Sequence, residues 1–290
     1  MDPTAVEPDG HNRYESSENR ALDDKLVDLS EASFSPSIKL IDPVLGDSLE
    51  LGQEKARSLV PLLCGKWIAL EGVDASGKST QLKIVSKLFE SIGCQVIEIP
   101  ELSNSTLGTC ILSVIKEHTF FSLHNKGITP LADSLTMLAD IVYSLELQQD
   151  SRDTNQALIL SDRGPLSVLV QQLSPLLQAP AHGSSSNGGV DNKLAKVLFL
   201  LLDQVKTPDL NIVLDVEDQH IDERLAARGE RGRTEEEVQS LRNYRKLFCS
   251  LGDVTPISVV DTSGTSTKAV TFSILETLHA FFKNGLNKNE

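Results

Sequence analysis

Gly72-Val73-Asp74-Ala75-Ser76-Gly77-Lys78-Ser79 is the stretch that most constrains this chain. Two glycines bracket four residues and are followed by Lys-Ser-Thr, with the apolar run Lys66–Gly72 before them and an amphipathic run after. Glycines let a backbone curl so that its N–H groups converge on phosphate oxygens. A helix starting at Lys78 adds the positive end of its dipole. In such a loop Lys78 bridges the β- and γ-phosphates and the Ser79 hydroxyl faces Mg²⁺. The expected nucleotide site is Gly72, Val73, Asp74, Ala75, Ser76, Gly77, Lys78, Ser79 and Thr80.

The flanking pattern sets the fold class. Strands are expected at Lys66–Gly72, Cys94–Pro100, Ala157–Gly164, Pro208–Val216 and Pro256–Thr262. Helices are expected at Lys78–Gly93, Ser105–Glu117, Leu131–Gln149 and Thr267–Lys283, with Leu82, Val85, Leu88, Phe89 and Ile92 on one face of the first. Short apolar strands alternating with helices predict an α/β three-layer sandwich, a five-stranded parallel sheet covered on both faces. Residues 61–290 are read as this domain, with a glycine-rich insertion at 179–193. Residues 1–60 hold 13 Asp/Glu against 6 Lys/Arg and are read as an acidic, disordered extension, with room for a short helix at Ala21–Leu29.

Composition excludes several classes. A net charge of −14 and 4% aromatics argue against a nucleic-acid surface. No apolar run approaches the roughly 20 residues of a membrane span. No targeting segment is recognisable, so the expected location is cytoplasmic, with the nucleus left open. Cys64, Cys94, Cys110 and Cys249 match no zinc spacing and are expected to be reduced thiols.

Two further clusters point to phosphoryl transfer. Asp162-Arg163 close the third strand at the ligand-facing edge of an open parallel sheet. An acid there can hold a metal-bound water, and an arginine can reach a transferring phosphoryl. Arg224, Arg228, Arg231 and Arg233 crowd a segment loosened by Gly229 and Gly232, as expected of a lid that closes on the nucleotide. Arg228 and Arg233 are the leading catalytic candidates, since nearby glutamates offer partners to the others.

These motifs carry a family resemblance. "IALEGVDASGKSTQ" resembles the phosphate loop of the thymidylate kinases, P-loop nucleoside monophosphate kinases. "LILSDRG" is similar to their Asp-Arg motif, "TPDLNIVLDV" to their Pro-Asp-Leu strand, and "ERLAARGERGRTEEE" to the lid of the bacterial form. The likeness spans about Gly65–Lys283. It implies ATP-dependent phosphorylation of a nucleoside monophosphate, normally dTMP to dTDP, with Mg²⁺, often as a homodimer. By position it implies catalytic roles for Lys78, Asp162, Arg163, Arg228 and Arg233, and metal roles for Ser79 and Asp162. Asp74, Glu101, Ile141 and Gly164 take the acceptor-side positions. Ala75 stands where some members keep an arginine, so the lid must supply that charge.

The acceptor side departs from the pattern. "EIPEL" (Glu98–Leu102) lacks the usual arginine, Ile141 replaces the arginine on the long helix, and Gly164 replaces a common tyrosine. An ATP-binding module with weakened catalysis, and a kinase for another phosphorylated acceptor, are the alternatives these departures leave.

Overall fold

Strand period 2 explains the architecture. In β1 (Trp67–Glu71), Ile68 and Leu70 face one side of the sheet and Trp67 the other, and every residue of the strand is buried. The same holds for β3 (Leu158–Asp162), with Leu158 and Leu160 on one face and Ile159 on the other. Such strands need cover on both faces, which a parallel sheet with crossover helices provides. With β2 (Val96–Ile99), β4 (Leu210–Asp215) and β5 (Ile257–Asp261), the sheet order is β2-β3-β1-β4-β5, and all pairings are parallel.

The computed structural model describes residues 49–117, 130–151, 156–178, 205–252 and 255–286. The expectations for residues 1–48 and for the 179–193 insertion lie outside these. The described residues belong to one unit, Asp47–Glu290. Among them are eight helices: α1 (Leu49–Leu63), α2 (Lys78–Ser91), α3 (Thr106–Glu117), α4 (Pro130–Ser151), α5 (Pro165–Gln178), α6 (Asp218–Ala227), α7 (Glu235–Ser250) and α8 (Thr267–Leu286).

One face is covered by α1, α2 and α8. Ala56, Leu59 and Leu63 of α1 are fully buried against Leu88 and Phe89 of α2 and Leu278 of α8 in one apolar cluster. This corrects the expected boundary at residue 60, which falls inside α1: residues 49–60 belong to the packed unit. The signal was masked because Gly52 and Pro61 lie within the helix and both disfavour one. Tertiary burial outweighs that propensity. The other face is covered by α4, α5 and α7, through Ile141, Leu145 and Val168 around Trp67, and Leu247 and Phe248 against Val213. Pro165 opens α5, a first-turn position where its missing N–H costs nothing.

The sheet order reverses at β1, whose neighbours β3 and β4 come later in the chain. Crevices form beyond the carboxyl ends of strands at such a point. The phosphate loop leaves β1 there.

Candidate functional site

The loop from Gly72 to Gly77 is held by backbone geometry. Gly72 has φ 132°, and a Cβ there would lie 2.5 Å from the Leu214 carbonyl oxygen. Only glycine permits that approach of the loop to β4. Gly77, at φ 104°, caps α2 in the left-handed region with open space around it, so backbone conformation sets its identity. Val73 and Ala75 are buried with Val216 of the β4–α6 turn, Ile221 and Leu225 of α6, and Leu241 of α7. Thr80 is exposed at the start of α2.

Lys78 is buried and donates from Nζ to the Val73 carbonyl oxygen at 2.9 Å. Burial, then the neighbouring Arg163, holds its ammonium below the usual lysine range despite Asp74 and Asp162. A phosphate delivered beside it would reverse that balance, since opposite charge favours the ionised form.

Register puts Asp162 opposite Leu70, at the end of β3 beside the loop. Ser79 Oγ donates to Asp162 Oδ2, while Asp162 Oδ1 is buried with no hydrogen-bond partner. Burial raises the Asp162 carboxyl, against the pull of Lys78 and Ser79. A hydroxyl joined to a carboxylate whose second oxygen is unsatisfied suits a hard cation with oxygen ligands, and Mg²⁺ commonly takes one or two protein ligands plus phosphates and water. No cluster of three His, Cys, Asp or Glu for a metal occurs among the described residues.

Arg163 joins the two sides of the site. It sits at φ 72°, an uncommon conformation for a side-chain-bearing residue. Its Nε donates to Glu101 Oε1 at 2.6 Å, Nη1 to the Gly72 carbonyl at 2.9 Å, and Nη2 to Asp74 Oδ1. Burial alone would lower its pKa, but Glu101, Asp74 and Asp162 overcome this and fix the charge. Asp74 and Glu101, two of the expected acceptor residues, are therefore brought together on one guanidinium.

The other two acceptor positions are corrected. Ile141 is buried in the apolar cluster of Trp67, Ile97 and Ile159. It shares a helix face with Leu145 one turn on, and that face is the core. A side chain at Gly164 would not point into a pocket. Its Cβ would meet Ala69 Cβ and Glu71 Oε1, each at 3.2 Å.

The lid arginines also sort differently from the local-partner argument. Arg233 is folded back on α6: its Nε meets Asp222 Oδ1 at 2.7 Å and its Nη2 the Asp218 carbonyl at 2.9 Å. Its side chain is only 6% exposed. This corrects the expectation of a free Arg233, because its partners come from the preceding helix rather than from the lid. Arg231 pairs with Glu237, which also closes a capping box with Thr234 at the start of α7. Arg228 is half exposed and has a loose 3.5 Å pair with Glu230.

Three contributors were given no role in the sequence reading, Arg224 being named there only as one of the lid arginines. Arg224 donates from Nη1 to the Ala75 carbonyl at 2.8 Å and from Nη2 to the Thr262 carbonyl at 2.6 Å, tying α6 and the end of β5 to the loop. Its position four residues before Arg228, on the inward-turning helix face, was the available signal. Glu71 is fully buried under the Asp162–Gly164 turn and accepts from Ser167 Oγ, and its Oε1 has no partner. Burial raises it to about 7, against Ser167, Arg163 and Lys78. No sequence signal separates it from any strand-end glutamate. Asp140, also buried, accepts from Ser103 N at 2.7 Å and from Ser103 Oγ, anchoring the segment that carries Glu101.

All four cysteines are free. No helix among the described residues is long and apolar enough to cross a membrane.

No family model matches the chain. Among curated proteins, it is 26% identical over 220 residues to a thymidylate kinase of Idiomarina loihiensis, covering 76% of this chain and 99% of the relative. It is 29% identical over 227 residues to a thymidylate kinase of Pelotomaculum thermopropionicum, covering 76% and 97%. A probable thymidylate kinase of Methanosarcina acetivorans is 29% identical over 217 residues, covering 73% and 96%. The solved thymidylate kinase of Candida albicans has the same fold, with a TM-score of 0.53 and 22% identity, covering 74% of this chain and 91% of that one. Beside the loop, the Asp162-Arg163 turn and the arginine lid, these comparisons show a chain similar to thymidylate kinases over about three quarters of its length.

Proposed function

We propose that the chain transfers the γ-phosphoryl group of ATP to a nucleoside monophosphate, dTMP to dTDP. The observation that carries this reading is Arg163, which bonds the donor loop at Gly72 and Asp74 and the opposite segment at Glu101. A guanidinium in that place lies between two phosphates. Curated relatives named thymidylate kinase, matched over nearly their full length, support the same acceptor.

In this reading an oxygen of the acceptor phosphate attacks the γ-phosphorus, and the bond to the β–γ bridging oxygen breaks to leave ADP. The transition state spreads charge over equatorial oxygens, so the protein's task is positioning and charge stabilisation. Loop N–H groups and Lys78 hold the donor phosphates. Lys78 keeps N–H groups beyond its bond to Val73, and phosphate contact restores the charge that burial disfavours. Arg163 orients the acceptor phosphate. Arg228, a half-exposed lid cation with the loosest partner, closes over the transferring group. Arg233 would join it only by leaving Asp218 and Asp222, so its part is to hold the lid stem. Ser79 and Asp162 would hold Mg²⁺, directly or through water. The metal supplies charge neutralisation on the β- and γ-oxygens. Residues 1–46 are an extension of the kinase unit, and the active form is a homodimer.

A coupled ADP-release assay over dTMP, dUMP, UMP, CMP and AMP tests this. The expected result is turnover fastest with dTMP and lost in Lys78→Met. No turnover with any acceptor refutes it.

A further inference from the structure

Arg163 is the pivot of the acceptor side, yet its guanidinium is already bonded to protein on all three nitrogens. Three carboxylates surround it electrostatically or by contact: Glu101, Asp74 and Asp162. One N–H remains on each Nη, but the single N–H of Nε is taken by Glu101, so a phosphate that binds the guanidinium edge through Nε must displace Glu101. The three bonded partners also differ in how easily they leave. The Gly72 carbonyl belongs to the loop backbone. The Asp74 side chain is 28% exposed and rides on the same loop. The Glu101 side chain is 40% exposed and sits on irregular chain between β2 and α3. Its carboxylate can turn to water without moving the donor half of the site, while Asp140 keeps the segment in place by holding Ser103 two residues on. Glu101 is thus an internal anion at the spot where an acceptor anion would compete.

We propose that Glu101 is a specificity-determining gate on Arg163, occupying the guanidinium until a doubly charged acceptor phosphate displaces it. This rests on the kinase reading above and deepens it. A dianion competes well with one carboxylate. A neutral nucleoside, or a singly charged ester, does not. The gate therefore weakens acceptor binding in return for discrimination, the use of a repulsive element that specificity commonly needs. It acts on ground-state and transition-state binding alike, so it moves KM rather than kcat.

The test compares the full chain with Glu101→Gln and Glu101→Asp, by calorimetric titration with dTMP and by steady-state kinetics. The glutamine variant should bind dTMP tighter, and lower its KM, by on the order of tenfold, the scale of one released charge-assisted hydrogen bond. Its KM for ATP should shift less than its KM for dTMP, since Glu101 lies on the acceptor side. The aspartate variant should resemble the parent. A purely structural Glu101, needed only to brace Arg163, predicts the opposite sign: weaker dTMP binding in the glutamine variant. Equal or weaker dTMP affinity in Glu101→Gln, or no dTMP binding by either protein, overturns the gate. If both proteins bind dTMP but neither turns over, the kinase reading fails while the affinity ratio still decides the gate.

Discussion

Glu71→Gln tests the physical account of the site's foundation. Glu71 has no exposed surface, one oxygen bonded to Ser167 and the other without a partner. Burial dominates the attraction of Arg163 and Lys78 and lifts the carboxyl from 4.5 to about 7. Between those two values the folded protein keeps a proton that the unfolded chain releases. Stability from this group is fully present below pH 4.5, declines as pH rises, and is gone above the folded value. Each pH unit between them is worth about 1.4 kcal/mol, so the loss is about 3 kcal/mol across the window. Glutamine does not titrate. Urea unfolding of both proteins from pH 5 to pH 8 should show the variant gaining on the parent by about that amount as pH rises. The comparison of curves matters more than either value, because the glutamine amide also changes hydrogen bonding near Gly164 by a pH-independent amount. Parallel curves, or a variant that loses ground with rising pH, would refute the claim that Glu71 is protonated in the fold.

Two further predictions follow from packing and charge. Arg233→Ala should lower unfolding free energy by about 1–3 kcal/mol, because it leaves Asp218 and Asp222 short of a buried partner, while kcat changes little. Arg228→Ala should leave stability unchanged and lower kcat at least tenfold, and the reverse assignment in paired melting and turnover measurements would restore Arg233 as the lid's catalytic cation. Leu59→Ala should cost about 2–5 kcal/mol in urea unfolding, since Leu59 is fully buried. A neutral effect would return α1 to the extension.

The phosphate loop was legible because its chemistry is local. Gly72, Gly77, Lys78 and Ser79 lie within eight residues, and the strand and helix that give them meaning adjoin them. The parallel sheet was legible for the same reason, since both-face burial writes itself into the central strands β1, β3 and β4 as unbroken apolar runs. Asp162-Arg163 could be placed at the right edge because a strand's end is a local fact. What those side chains bond to was not local. Arg163 meets Gly72 and Asp74 about 90 positions earlier and Glu101 about 60 earlier. Ile141 read as a site residue because it aligned with one, but helix phase turned it into the core. Arg233 read as free because its partners were sought in the lid, while Asp218 and Asp222 come from the helix before. Sequence by itself determined the donor loop, the five strands in chain order, and the residue types available for phosphate. Tertiary structure alone decided which carboxylate holds which arginine, that α1 is part of the core, and that Glu71 is buried beneath the turn. Backbone pattern follows from neighbours along the chain, whereas charge pairing and desolvation follow from neighbours in space.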